Sequence, residues 1–142
     1  MTLSMPSELF ALHPQLAADS VWIADLPLCQ LRLMNDARFT WLLLIPRVAE
    51  AHEWFELEPA GQLQLHHESM LTATTLKRLL ACDKINLACL GNVVAQLHVH
   101  VIARRHDDAL WPHPVWGSPV TNYAPNELES LLEKLRAAFA AH

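Results

Sequence analysis

The sequence is short of basic residues, glycine and cysteine, and each shortage excludes something. Ten Lys and Arg stand against fifteen Asp and Glu, for a net charge of −5. A nonspecific nucleic-acid binder carries a basic surface that releases counterions, so that class is excluded. The three glycines form no Gly/Ser linker, and there is no repeat or low-complexity segment, so a single domain is expected over residues 1–142. Cys29, Cys82 and Cys89 are odd in number and lack a Cys-x-x-Cys spacing. That argues against a disulfide framework or a cysteine zinc site, and for a reducing cytoplasm. No apolar run nears the roughly 20 residues of a membrane span. The longest, residues 41–46, is strand-sized, and the opening MTLSMPSELF has no secretory-signal pattern.

What is abundant is apolar residues, histidine and tryptophan. Apolar residues make up 52% of the chain and charged ones 18%, which excludes disorder. At this length about 68–70% of the unfolded surface is expected to be buried. Nine His and five Trp accompany a single Tyr. Histidine carries protons, metals or phosphoryl groups near neutral pH, so its placement comes first.

Residues 7–19 read as a short helix or turn, followed by strands over 20–26 and 28–34. Asn35-Asp36-Ala37-Arg38 supplies turn chemistry, and TWLLLIP (40–46) is a buried strand stopped by Pro46. A short helix is expected over 49–57. A long one is expected over 59–82, with Leu63, Met70, Leu71, Leu79 and Leu80 as its core stripe. Strands over 84–90 and 95–103 flank the Gly91-Asn92 break. Residues 104–124, with three prolines and two tryptophans, cannot stay regular. A helix over 125–141 buries Leu128, Leu131, Leu132, Leu135 and Phe139. The fold class is therefore α+β, an antiparallel sheet with helices on one side.

The chemistry concentrates in Gln96-Leu97-His98-Val99-His100-Val101-Ile102. On a strand, Gln96, His98 and His100 share one face, opposite Leu97, Val99 and Val101. Two imidazoles on a rigid strand suit a nucleophile aimed at phosphorus, because neutral imidazole can attack a phosphoryl centre and leave again. Alone, the His-x-His pair also fits half-exposed strand residues or a two-His metal mount. A metal needs further ligands, and His66, His67 and His113 stand at no diagnostic spacing.

With its flanks, KINLACLGNVVAQLHVHVIAR resembles the signature region of the histidine triad (HIT) superfamily of nucleotide hydrolases and transferases. The hairpin LRLMNDARFTWLLLIPR (31–47) and the 59–82 helix are similar to that family's first hairpin and crossover helix, so about 28–103 is covered. The resemblance implies an α+β sheet of about five strands with a long crossover helix and a C-terminal helix. The core spans 20–103, the irregular Trp/Pro segment 104–124, and the last helix 125–141. It makes His98 the nucleophile that forms a nucleotidyl-imidazole, with His100 supporting the phosphate oxygens and the geometry of the nucleophile. Asn92 falls at a phosphate-binding position, Asn35 at a ribose-binding one, and Asn86 on the neighbouring strand facing the phosphate. Gln96 replaces the first histidine of the triad and cannot become a cation. Val93 replaces a small hydroxyl residue, and Trp41 stands where a histidine is common. In segment 111–117, Trp111 and Trp116 either pin the loop over the core or approach a nucleotide pocket of a partner subunit.

The function these readings imply is hydrolysis or transfer of nucleoside 5′-phosphate esters, phosphoramidates or dinucleoside polyphosphates. No cofactor or resident metal is expected, although a polyphosphate substrate would bring a divalent cation. The expected partners are a nucleotide and a second copy of the chain, joined through the 59–82 helix and the 84–90 strand, with no membrane. Gln96, Val93 and Trp41 motivate the alternative, a nucleotide-binding module of the same fold that does not catalyse. A two-His metal protein is the third reading.

Overall fold

A computed structural model describes residues 8–140; residue 7 of the first expected element and residue 141 of the last lie outside them. Helix α1 (Pro14–Asp19) leads into a meander of β1 (Ser20–Asp25), β2 (Cys29–Met34) and β3 (Thr40–Pro46). Helix α2 (Pro59–Leu80) then crosses over to the hairpin of β4 (Lys84–Ala88) and β5 (Val99–Arg104), and α3 (Pro125–Ala140) ends the described chain. The sheet order is β1-β2-β3-β5-β4, antiparallel throughout. The architecture is α+β, as the order of patterns along the chain implies. Among the described residues no helix is long and apolar enough to cross a membrane.

The central strands β3 and β5 are covered on both faces, which is why TWLLLIP reads as one apolar run rather than an alternation. On one face Leu31, Leu33, Leu42, Leu44, Val99 and Val101 pack with Leu65 and Leu76 of α2 and with Leu132, Leu135 and Phe139 of α3. Each such buried side chain contributes about 1.5–3 kcal/mol. On the other face Trp41, Leu43, Ile45 and Ile102 meet Leu16, Phe39, Val94 and Val115. Apart from the short α1, irregular chain supplies that cover.

Polar ties hold the irregular cover. The Arg104 guanidinium, 1% exposed, donates to both Asp108 oxygens at 2.7 and 3.0 Å, to Asn86 Oδ1 at 2.9 Å and to the His113 carbonyl at 2.9 Å. Burial would raise the Asp108 pKa, but hydrogen bonds from Arg104 and three backbone N–H groups outweigh it and hold the carboxyl at about 2. Asp36, fully buried, accepts from Arg38 and from the Thr121 N–H, and Asn35 Oδ1 accepts from the Tyr123 N–H at 2.9 Å.

Four expectations are corrected. The buried stripe of α2 is Gly61, Leu65, Glu68, Ser69, Thr72, Thr75 and Leu76, whereas Leu63 and Met70 are 70% and 41% exposed. Small residues let α2 lie close to the sheet, and the buried Glu68 carboxylate accepts the Leu28 and Cys29 N–H groups at 2.9 and 2.8 Å. The helix stops at Leu80 because Ala81 turns left-handed at φ 48°. The 49–57 stretch forms only one 3₁₀ turn, Trp54–Glu56. Finally, β5 begins at Val99 rather than at 95, since the Leu97 N–H leaves the ladder for the Ala51 carbonyl at 2.9 Å.

Candidate functional site

His98 lies at the mouth of β5, buried to 5% exposure. Its Nδ1–H donates to the Gln96 carbonyl at 2.6 Å, and a carbonyl can only accept, so the neutral ring carries its lone pair on Nε2. Nε2 has no hydrogen-bond partner among the described residues. Burial lowers the pKa of His98 despite the Gln96 carbonyl, and nearby His13 lowers it further. The ring therefore stays neutral near pH 7, the state a nucleophile needs. Gly91 lies against the ring: a Cβ there would come 2.9 Å from the Val94 carbonyl oxygen and 3.7 Å from His98 Cε1. Glycine alone fits without shifting that backbone.

His100 stands beside it, with ring centroids 4.7 Å apart at 66°. Both of its nitrogens are committed: Nε2–H donates to the Leu90 carbonyl at 3.0 Å, and Nδ1 accepts the Trp41 indole N–H at 3.0 Å. Burial pushes its pKa down to about 4, against the effect of Leu90, with His98 adding to the depression. A ring so tied buttresses His98 and has no nitrogen left for a phosphate oxygen. Trp41 thus fixes a neighbouring tautomer, and Trp116 of the same chain packs edge-on against both His100 and Trp41 at 5.0 and 5.8 Å.

Gln96 borders the site, but its amide is spent elsewhere. Its Nε2–H donates to the Ala11 carbonyl and its Oε1 accepts the His13 N–H, each at 2.8 Å. Asn92 lines both cavities beside His98, and its amide has no partner among the described residues. Asn35 and Asn86 are not brought to His98's cavities; their amide oxygens are taken by the Tyr123 N–H and by Arg104.

Two cavities meet at His98. One, of about 130 Å³, is polar and edged by His52, Glu53, Gly91, Asn92 and Gln96. The other, of about 290 Å³, is edged by Leu16, Met34, Trp41, Leu90, His100 and Trp116. Their junction can seat a phosphoryl group at His98 and a planar apolar ring among the aromatic residues. No group of three or more His, Cys, Asp or Glu able to hold a metal occurs among the described residues. Sequence reasoning missed His13, His52 and Glu53. Outside the strand, His66, His67 and His113 drew notice instead; all three are exposed, and none lines these cavities.

These features define an α+β protein in which a partnerless imidazole nitrogen at the entry to strand β5 faces a cleft. The HIT domain model matches residues 15–107, and the chain belongs to the histidine triad family. A histidine triad protein from Sinorhizobium meliloti is 44% identical, covering 92% of this chain and 97% of its own, with a TM-score of 0.88. One from Bradyrhizobium japonicum is 42% identical over 91% and 97%, also at 0.88. One from Marinobacter aquaeolei is 39% identical over 93% and 97%, at 0.90. Against curated protein sequences, no match is found.

Proposed function

We propose that this histidine triad protein hydrolyses or transfers nucleotides through a covalent nucleotidyl-His98 intermediate. Its substrates in this reading are nucleoside 5′-phosphate esters, phosphoramidates or dinucleoside polyphosphates. The observation that carries the proposal is the His98 tautomer, with Nδ1–H held by the Gln96 carbonyl and Nε2 left without a partner. Nε2 attacks the α-phosphorus and forms a P–N bond. The bond to the leaving group breaks, and the leaving group departs with its electron pair. Water then cleaves the P–N bond and frees His98. Gly91 and Asn92 stand where the phosphoryl oxygens would sit, and the Trp41–Trp116 cavity suits the base.

The alternative of binding without turnover is favoured by one observation: both His100 nitrogens are committed and the neutral Gln96 amide is no acid, so neither can protonate a leaving group. Quenched reactions with an α-labelled nucleotide separate the two readings. Catalysis predicts acid-labile, base-stable label on wild type, absent from His98→Ala, whose rate falls by about 10³-fold or more while nucleotide binding persists. Binding without label in wild type would leave the module. Because the His98 pKa is lowered, catalysis also predicts a kcat/KM that holds from pH 7 down past 6.5 before it falls.

The reading extends to assembly as a homodimer in the cytoplasm. Exposed Leu63, Met70 and Leu87 lie on α2 and on the edge strand β4, an apolar surface next to an unpaired strand edge. Light scattering at micromolar concentration should give the dimer mass, and Met70→Glu should lower it to that of the monomer.

A further inference from the structure

Helix α1 borders the larger of the two His98 cavities and puts two polar side chains on its edge, Gln15 and Asp19. Neither borders the smaller cavity, whose Gly91 and Asn92 face the phosphoryl oxygens in the proposed reaction. Four residues apart, Gln15 and Asp19 share one face of the helix, and Gln15 Nε2 donates to both Asp19 oxygens at 2.9 Å. Among the described residues lining the larger cavity, Asp19 is the one carboxylate, and there is no Lys or Arg. Its backbone is pinned on two sides. The Asp19 carbonyl accepts the Asn35 N–H at 2.9 Å. Next to it, Ser20 donates to the Leu16 carbonyl and accepts from buried Arg32, whose guanidinium also donates to the Ser20 carbonyl at 2.8 Å.

Hydrogen-bond chemistry selects the occupant. Leu16, Met34, Trp41 and Trp116 give apolar contact to any purine, so discrimination falls to the helix edge. Two carboxylate oxygens side by side complement two adjacent N–H donors. Of the common bases only guanine offers them, at N1 and the 2-amino group, with the O6 acceptor alongside. Adenine and cytosine would each set a ring-nitrogen lone pair against a carboxylate oxygen, and uracil has a single N–H between two carbonyls. An exposed bond between residues four apart is weak, so Gln15 can yield Asp19 to the base and donate to O6 instead.

We propose that Asp19 is a specificity-determining residue that makes this protein select guanine nucleotides. Its two oxygens accept the N1–H and a 2-amino N–H, and Gln15 donates to O6. The inference rests on the nucleotide reading of the His98 site and names the base which that reading leaves open.

Titration calorimetry with the 5′-monophosphates of guanosine, inosine, adenosine and xanthosine tests this, since none carries a leaving group to be turned over. Wild type should bind the guanosine nucleotide about tenfold tighter than the adenosine one, the scale of one bidentate base contact. The inosine nucleotide keeps N1–H but lacks the 2-amino group, and should fall between them. Asp19→Ala should level the series. Asp19→Asn gives the sharpest outcome, because it exchanges one acceptor for a donor. It should turn against guanine and favour xanthine by about tenfold, since xanthine keeps N1–H and its O2 accepts from the new amide. A carboxylate that merely braces α1 predicts the same loss for every base and no such exchange, and that result would overturn the proposal. So would Asp19→Ala weakening the guanosine and adenosine nucleotides equally while 2′-deoxyguanosine monophosphate binds wild type as poorly, which would assign Asp19 to the ribose. If all four nucleotides bind wild type alike, the base reading fails alone. If none binds, the nucleotide reading fails and takes the base reading with it.

Discussion

The two faces of the sheet are built by different means. One is a hydrocarbon core under α2 and α3, where Leu42, Leu44, Val99 and Val101 meet leucines at helical spacing. The other is covered mainly by chain without regular structure, fixed by buried ions and amides: Arg104 on Asp108, Arg38 on Asp36, and Gln96 on the N-terminal segment. The helical face supplies stability that is nondirectional and tolerant of changes in shape. The second face must hold two imidazoles and two indoles at fixed angles, and directional bonds do this better than packing alone. Specificity there comes at the cost of desolvating charges.

The contrast is testable from both sides. The largest stability effect is expected for Arg104→Ala, which strands Asp108 in the interior and should cost about 3–5 kcal/mol. Amide exchange should then accelerate through residues 105–116 before it does in α2. Leu76→Ala, on the opposite face, should cost about 2–5 kcal/mol as a cavity while leaving the pH dependence of the proposed activity as in wild type. Urea unfolding gives both costs, and a larger local opening near Trp116 in the leucine variant than in the arginine variant would erase the distinction.

A smaller effect separates the faces by pH. His100 is held neutral with a pKa of about 4 against an ordinary 6.5, so the unfolded chain binds the extra proton first. The stabilisation is complete above pH 6.5 and is lost as the pH falls through the window down to about 4. The loss should reach roughly 3 kcal/mol at most. Chemical denaturation across that window should show it, and His100→Phe should flatten the slope. The smallest effect is that of Trp41→Phe, which removes one donor from His100 and should cost about 1 kcal/mol at pH 7. It should also raise the His100 pKa measured by NMR, because Nδ1 no longer holds an indole proton.

The sequence reveals the two faces unequally, for the same physical reason. The stripe of α3 is legible because Leu132, Leu135 and Phe139 are apolar at helical spacing. That of α2 is not, because its buried residues are glycine, threonines, a serine and a glutamate whose carboxylate finds backbone partners on β2. In the site, the His-x-His alternation names His98 and His100 directly. The partners of Gln96 are invisible, since it binds the backbone of Ala11 and His13, and backbone groups leave no signature in sequence. Trp41 reads as a bulky replacement for histidine, and only the fold reveals its indole as a donor to His100.

β5 lies between β3 and β4 and is buried along its whole length, with Leu43 opposite His100 and Leu42 opposite Val101. A slip of one residue in this pairing would send the imidazole of His100 among the leucines under α2 and bring Val101 to the site. It would bury an unpartnered polar ring and expel a core valine, a double penalty that no local rearrangement repairs. Aim and register are therefore encoded by the same alternation, and a chain that has closed its core has already oriented His98 and His100. Errors in synthesis or folding that displace His98 are converted into failures to fold, so the population of folded molecules carries few misaligned sites.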